Sequence, residues 1–222
     1  MTKNNYRGPE GRKNPIKFKV QLAPDQKEAK AKMLESKVSV LLGAAGTGKT
    51  LAAANLALDL LFNEKIERIK IVRPTVIDEE SEDMGFLPGE LGNKLLPFLT
   101  PIIENMYKLS DKVKIDLLLK EEKIVVQTLQ HIKGSTIDNE LLIVDEVEDM
   151  TQTQILKVLT RLGKDSKIVF SGDLAQCDLK DKNNSGLLKL ISVADSLDYM
   201  DVVELTTNHR DPIIKEIIKA FE

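Results

Sequence analysis

Short apolar runs recur along the chain, each about the length of one buried strand and rich in Val, Ile or Leu. They are Val38 to Leu42, Ile69 to Val72, Ile124 to Val126, Leu141 to Val144, Ile168 to Phe170 and Val202 to Leu205. Runs this short, with no internal alternation, are the pattern of strands covered on both faces. The intervening segments have helical character: a polar stretch from Gln26 to Glu35, Leu51 to Leu61, Glu90 to Tyr107, Asp111 to Lys120, Thr151 to Leu162 and Ile213 to Phe221. Strands alternating with helices predict βαβ crossovers, hence an α/β fold of three layers around a mainly parallel central sheet.

Composition narrows the picture without changing it. With 222 residues, 42% of them hydrophobic, the chain can bury one substantial core but not two full α/β domains, so one domain over 16–222 is expected. Residues 1–15 carry Lys3, Arg7, Arg12 and Lys13 among Asn, Gly and Pro with neither period, and are expected to be a disordered basic tail. No early apolar run resembles a signal peptide or a membrane span. Cys177 is the single cysteine, so no internal disulfide framework is available, and the cytoplasm is the expected compartment. A net charge of −3 and aromatic content of 4% argue against a constitutive nucleic-acid binder built on basic surface and stacking platforms.

The strongest chemical signal is Gly43-Ala44-Ala45-Gly46-Thr47-Gly48-Lys49-Thr50, which satisfies G-x-x-x-x-G-K-[ST] between a strand and a helix. Glycines let backbone N–H groups converge on phosphate oxygens, and the positive end of the following helix adds to that field. In this pattern Lys49 reaches the β and γ phosphates and Thr50 gives its hydroxyl to Mg²⁺. An empty glycine turn would not explain the lysine, the threonine and both flanking elements together. About 95 residues on, Leu141 to Val144 runs into Asp145-Glu146, two carboxylates at the end of a buried strand. Beside a phosphate loop, Asp145 is suited to hold Mg²⁺ and Glu146 to orient and deprotonate a water. The ordinary alternative is an acidic turn, since Glu148 and Asp149 follow.

Weaker signals lie at other strand ends. After Lys167 to Phe170 comes Ser171-Gly172-Asp173-Leu174-Ala175-Gln176, where Gln176 can meet a γ-phosphate or the attacking water, or can simply belong to a turn. Leu205-Thr206-Thr207-Asn208-His209-Arg210 offers Arg210 as a stabiliser of phosphoryl charge, from its own subunit or a neighbour's, or as a surface arginine. His209 reads as structural or solvent-facing, and His131 lacks metal-ligand spacing with Cys177. In Pro24-Asp25-Gln26, Gln26 can pair with an adenine edge, while Asp25 reads equally well as a helix cap. Arg73, Lys94 and Lys133 can attract a phosphate backbone, but solvated surface is the simpler reading.

Taken together, Gly43 to Thr50, Arg73-Pro74-Thr75-Val76, Gly85-Phe86-Leu87-Pro88-Gly89-Glu90-Leu91, Leu159-Thr160-Arg161-Leu162-Gly163 and Ser171 to Leu179 resemble the PhoH family of ATPases. That family is similar to the first motor domain of superfamily-one helicases. The resemblance implies a RecA-like core that binds and hydrolyses ATP with Mg²⁺, with Gln26 near adenine and Arg210 near the γ-phosphate. It also implies a homo-oligomeric ring, a hexamer, and single-stranded RNA or DNA as partner. Two departures bear on that last implication: Asp145-Glu146-Val147-Glu148-Asp149 replaces Asp-Glu-Ala-Gln-Asn, and Lys133-Gly134-Ser135-Thr136 replaces an arginine-rich turn. No fused nuclease or second motor domain is expected, so a ring would supply the missing wall. Two other functions fit the motifs, an ATP-gated scaffold for a protein partner and a P-loop kinase. The Asp145-Glu146 pair and Gln176 suit water activation better than a kinase's acceptor pocket.

Overall fold

A computed structural model describes residues 17–74, 101–132, 136–177, 179, 184–211, 213–214 and 220. The expected basic tail, the Gly85 to Leu91 motif, Lys94, Lys133 and most of the last helix lie outside the described residues. Among the described residues six strands form one sheet: β1 (Val38–Leu42), β2 (Arg68–Val72), β3 (Ile124–Gln127), β4 (Glu140–Asp145), β5 (Lys167–Gly172) and β6 (Met200–Glu204). Their order is β3-β2-β4-β5-β1-β6, and every pairing is parallel. Each apolar run of the sequence falls on one of these strands, the last reaching one residue beyond β6 to Leu205, and the α/β class is as expected.

The helices are α1 (Pro24–Glu35), α2 (Lys49–Phe62), α3 (Lys112–Lys120), α4 (Leu129–Ile132), α5 (Gln152–Leu159) and α6 (Gly186–Ala194), with a further helical stretch over 101–109. Strand side chains alternate between two cores. Leu41, Ile69, Ile71, Leu141, Ile143 and Val169 point into one core, with Ala29 and Met33 of α1 and the alanines of α2. Val38, Val40, Leu142, Val144, Ile168 and Phe170 point into the other, with Ile155 and Val158 of α5 and Leu187 of α6. Burial on both faces explains why the strands read as continuous apolar runs. Among the described residues no helix is long and apolar enough to cross a membrane.

Register fixes the working edge. Leu42 lies opposite Gly172 on one side and Glu204 on the other, and Asp145 lies opposite Ser171. The carboxyl ends of β1, β4, β5 and β6 therefore finish together, the edge where parallel sheets bind ligands. At the other end of β4, Glu140 is pinned to β2: its Oε2 lies 2.6 Å from Lys70 Nζ and its Oε1 3.2 Å from Arg68 Nη1. Lys70 and Glu140 are both buried. Removing one member leaves an uncompensated charge, whereas replacing both with apolar residues avoids it. Glu140→Ala is expected to lower the unfolding free energy by about 3 kcal/mol, and Lys70→Met with Glu140→Leu by much less. Denaturant titration of the two variants checks this, and equal losses would refute it.

Candidate nucleotide site

The turn from β1 to α2 wraps around the helix's first amides. Gly48 caps α2 with φ 82° and ψ 28°, a left-handed conformation that favours glycine. A Cβ there would also overlap Nε2 of Gln26. Beyond the helix start lies a cleft of about 730 Å³, bordered by Gly46, Gly48, Lys49, Thr50, Asp145 and Gln176 among others. Its size suits a small-molecule ligand, and the α2 N-terminus favours an anionic one.

Two segments distant in sequence brace this loop. From α1, Gln26 donates Nε2–H to the Thr47 carbonyl (3.0 Å) while its Oε1 accepts the Ala23 N–H (3.0 Å). From the chain after β6, the Asn208 amide donates to the Ala45 carbonyl (3.3 Å) and the His209 N–H to the Gly46 carbonyl (3.0 Å). The braces also touch each other, since Thr207 N–H donates to Asp25 Oδ2 at 3.4 Å. Asp25 thus sits inside the first turn of α1, with Ala23 at the cap position, rather than capping the helix itself. Gln26 borders the cleft with both amide atoms engaged by backbone, so here it supports the loop. Burial of this side chain makes those bonds costly to lose.

The reacting end is built by α2, β4 and β5. Lys49 Nζ lies over its own loop, donating to the carbonyls of Gly43 (2.5 Å) and Ala44 (3.3 Å). The Thr50 hydroxyl donates to Asp145, 3.1 Å from Oδ2 and 3.4 Å from Oδ1. Asp145 Oδ1 also accepts from the buried Ser171 hydroxyl, which locks the carboxylate's orientation. A hydroxyl and a buried carboxylate at this spacing are hard oxygen donors. They suit Mg²⁺, which takes one or two protein oxygens and completes its shell with phosphate and water. Glu146, the next residue, is left-handed at φ 57° and ψ 55°, a strained backbone of the kind that clusters at functional sites. That kink turns its half-exposed side chain off the strand to pair with Arg73 from the end of β2.

Gln176 borders the cleft and donates Nε2–H to Asp173 Oδ2 at 2.6 Å. Arg210 lies over Gly46, where an added Cβ would stand 2.7 Å from its Cγ, so this glycine makes room for the arginine. The structure thus brings Gln26, the phosphate loop, Asp145, Glu146, Gln176 and Arg210 of one chain around one cleft. His209 faces that cleft, while His131 is engaged locally, its Nδ1 2.7 Å from the Thr128 hydroxyl.

Three features were not legible as site residues. Arg73 is an ion-pair partner of Glu146 instead of solvated surface. Asn105 and Lys108, one turn apart on the 101–109 helix, form part of the cleft wall. Glu148, which reads as part of an acidic turn, is buried at the cleft, and burial pushes its carboxyl up to about 7.

A parallel sheet carrying a glycine-rich loop, with a lysine, a threonine and a strand-end aspartate converging on one cleft, defines a P-loop NTPase. Residues 20–222 match the family model described as PhoH-like protein, and the chain belongs to the PhoH family. It is 37% identical over 190 residues to a PhoH-like protein of Synechocystis, covering 83% of this chain and 56% of that one. It is 34% identical over 199 residues to the Bacillus subtilis PhoH-like protein, covering 89% and 62%. With Protein PhoH of Escherichia coli the identity is 33% over 159 residues, covering 70% and 44%. The chain therefore spans roughly half the length of these relatives.

Among solved structures, the large terminase of a thermophilic bacteriophage matches with TM-score 0.59 at 11% identity, covering 91% of this chain and 51% of that one. The UvsW helicase of bacteriophage T4 matches with TM-score 0.51 at 16% identity, covering 83% and 60%. At such identities the likeness concerns the fold.

The bracing role of Gln26 has a measurable signature. Gln26→Ala is expected to cost about 2 kcal/mol of stability through two lost buried hydrogen bonds. It is also expected to weaken ATP, GTP and inorganic triphosphate by similar factors in a competition assay. Weakening confined to ATP would assign Gln26 to the base instead.

Proposed function

We propose that this chain binds and hydrolyses ATP with Mg²⁺, and that hydrolysis drives remodelling of single-stranded RNA or DNA by a ring of subunits. The observation that carries the hydrolysis reading is the convergence of Thr50 and Asp145 at 3.1 Å beside Lys49. In this reading the loop amides and Lys49 bind the β and γ phosphates, and Thr50 and Asp145 hold the metal. Bound there, Mg²⁺ would neutralise charge on the terminal phosphate. Glu146 takes a proton from a water as its oxygen bonds to the γ phosphorus and the bond from phosphorus to the ADP oxygen breaks. Arg73 holds Glu146 in place and Gln176 orients the water. Arg210, resting on its own chain's loop, supports a role within the subunit.

The polymer and ring assignments rest on the family resemblance, and the net charge of −3 with few aromatics favours a second reading. In that reading ATP gates the assembly of a scaffold on a protein partner and hydrolysis resets it.

Steady-state turnover of the wild type and Glu146→Gln, with and without single-stranded RNA and DNA at low and physiological salt, separates these. The variant is expected to lose at least ~100-fold in turnover. Stimulation by one polymer that weakens with salt names the track; unchanged turnover favours the scaffold, and no turnover rejects hydrolysis. Light scattering of the same ATP and Mg²⁺ solutions reads the assembly, and a monomeric particle rejects the ring.

A further inference from the structure

Glu148 has no part in the chemistry above, yet it is buried and borders the cleft with Lys49, Thr50 and Gln176. Its placement is enforced from several sides. The short helical turn Val147–Asp149 buries Val147 and Glu148 while leaving Asp149 exposed. The Asp173 N–H donates to Glu148 Oε2 at 3.3 Å, tying it to the loop that carries Gln176. Gly172 lies against the carboxyl, since a Cβ there would stand 2.9 Å from Oε2 and 3.0 Å from Leu187. A larger residue would push Glu148 off the β5 end.

We propose that Glu148 is a proton-dependent gate on the nucleotide site. Carrying a proton, it donates a hydrogen bond to the terminal phosphate end of the cleft; ionised, it opposes triphosphate binding and turnover. The inference rests on the ATPase reading of this site. A carboxylate sharing a partly dry cleft with Asp145, Glu146 and a triphosphate is a fourth negative group, whereas a neutral carboxyl is a donor. Among the described residues, charged groups surround it on several elements. Glu146 stands beside it in the chain, itself paired with Arg73 from β2. Lys49, at the start of α2, attracts it, and Asp173 meets it through the backbone N–H, the Asp173 carboxylate itself being bonded to Gln176 and the Ala175 N–H. From α6, Leu187 packs on the shared glycine, and Lys189, the helix's only charged residue, is exposed. His209, Arg210 and Lys108 border the same cleft.

Burial drives the carboxyl up to about 7, and repulsion from Glu146 adds to this, while backbone hydrogen bonds and Lys49 oppose it. The proton therefore leaves within the physiological range. Because this folded-state value lies above the ordinary 4.5, Glu148 contributes stability that is present at low pH and lost as pH rises through 7.

The test is wild type against Glu148→Gln from pH 5.5 to 9, reading turnover of saturating ATP with Mg²⁺ and affinity for a non-hydrolysable ATP analogue. Wild-type turnover and affinity are each expected to fall about tenfold between pH 6 and 8.5. The amide variant should change less than about twofold over that span and exceed the wild type at pH 8.5. An alkaline fall of the same size in the variant, or none in the wild type, overturns the gate. A wild type that binds the analogue with this pH dependence but never turns over would sink the ATPase reading and leave the gate standing. Should the variant fail to fold, the ¹³C shift of the Glu148 carboxyl decides: titration near 7 supports the gate, and titration near the ordinary value refutes it.

Discussion

The Thr50 to Asp145 hydrogen bond joins residues 95 positions apart, and the rest of the site depends on the geometry that makes it possible. Thr50 is placed by the turn that caps α2, and Asp145 by the register of β4 against β5. The strands that carry these two segments, β1 and β4, do not pair with each other; β5 lies between them and transmits the alignment. Ser171, opposite Asp145 on β5, both sets that register and binds the carboxylate. A one-residue slip of β4 would flip Asp145 to the other face and exchange the two cores at once, so core packing and site assembly are specified by the same pattern.

The phosphate loop is held on two sides, by Gln26 and by Asn208 with His209. Such a loop leaves many carbonyls facing away from the phosphate side, and each needs a donor. The side-chain amides of Gln26 and Asn208 and the His209 N–H supply them. Pre-organising the loop in this way reduces the ordering a phosphate would otherwise impose. It also sets the position of Arg210, which follows immediately and lies over Gly46.

Much of this was legible in the sequence because its physics is local. Strands buried on both faces announce themselves as apolar runs, and the phosphate loop as spaced glycines before a lysine and threonine. What escaped depends on tertiary placement. The run from Gly186 to Ala194 is a helix capped by Ser185, but its nine apolar-rich residues carry too short a period to separate from a strand. Glu148 sits among acidic residues and reads as a polar turn, since only the Val147–Asp149 turn and the β5 end reveal that it is buried. Arg73 reads as surface because its partner, Glu146, reaches it through a left-handed kink that composition does not announce. Gln26, expected from the resemblance near an adenine, borders the cleft, and the sequence does not announce that both its amide atoms serve backbone groups.

In the proposed function Thr50 and Asp145 form the metal-binding edge of a triphosphate site. Calorimetric titration of a non-hydrolysable ATP analogue, with and without Mg²⁺, into the wild type and Thr50→Val tests it most directly. The wild type should bind at least ~10-fold more tightly with Mg²⁺, and the valine variant, which keeps the side chain's shape, should lose that gain. A wild type indifferent to Mg²⁺, or a variant that keeps the full gain, would contradict the account.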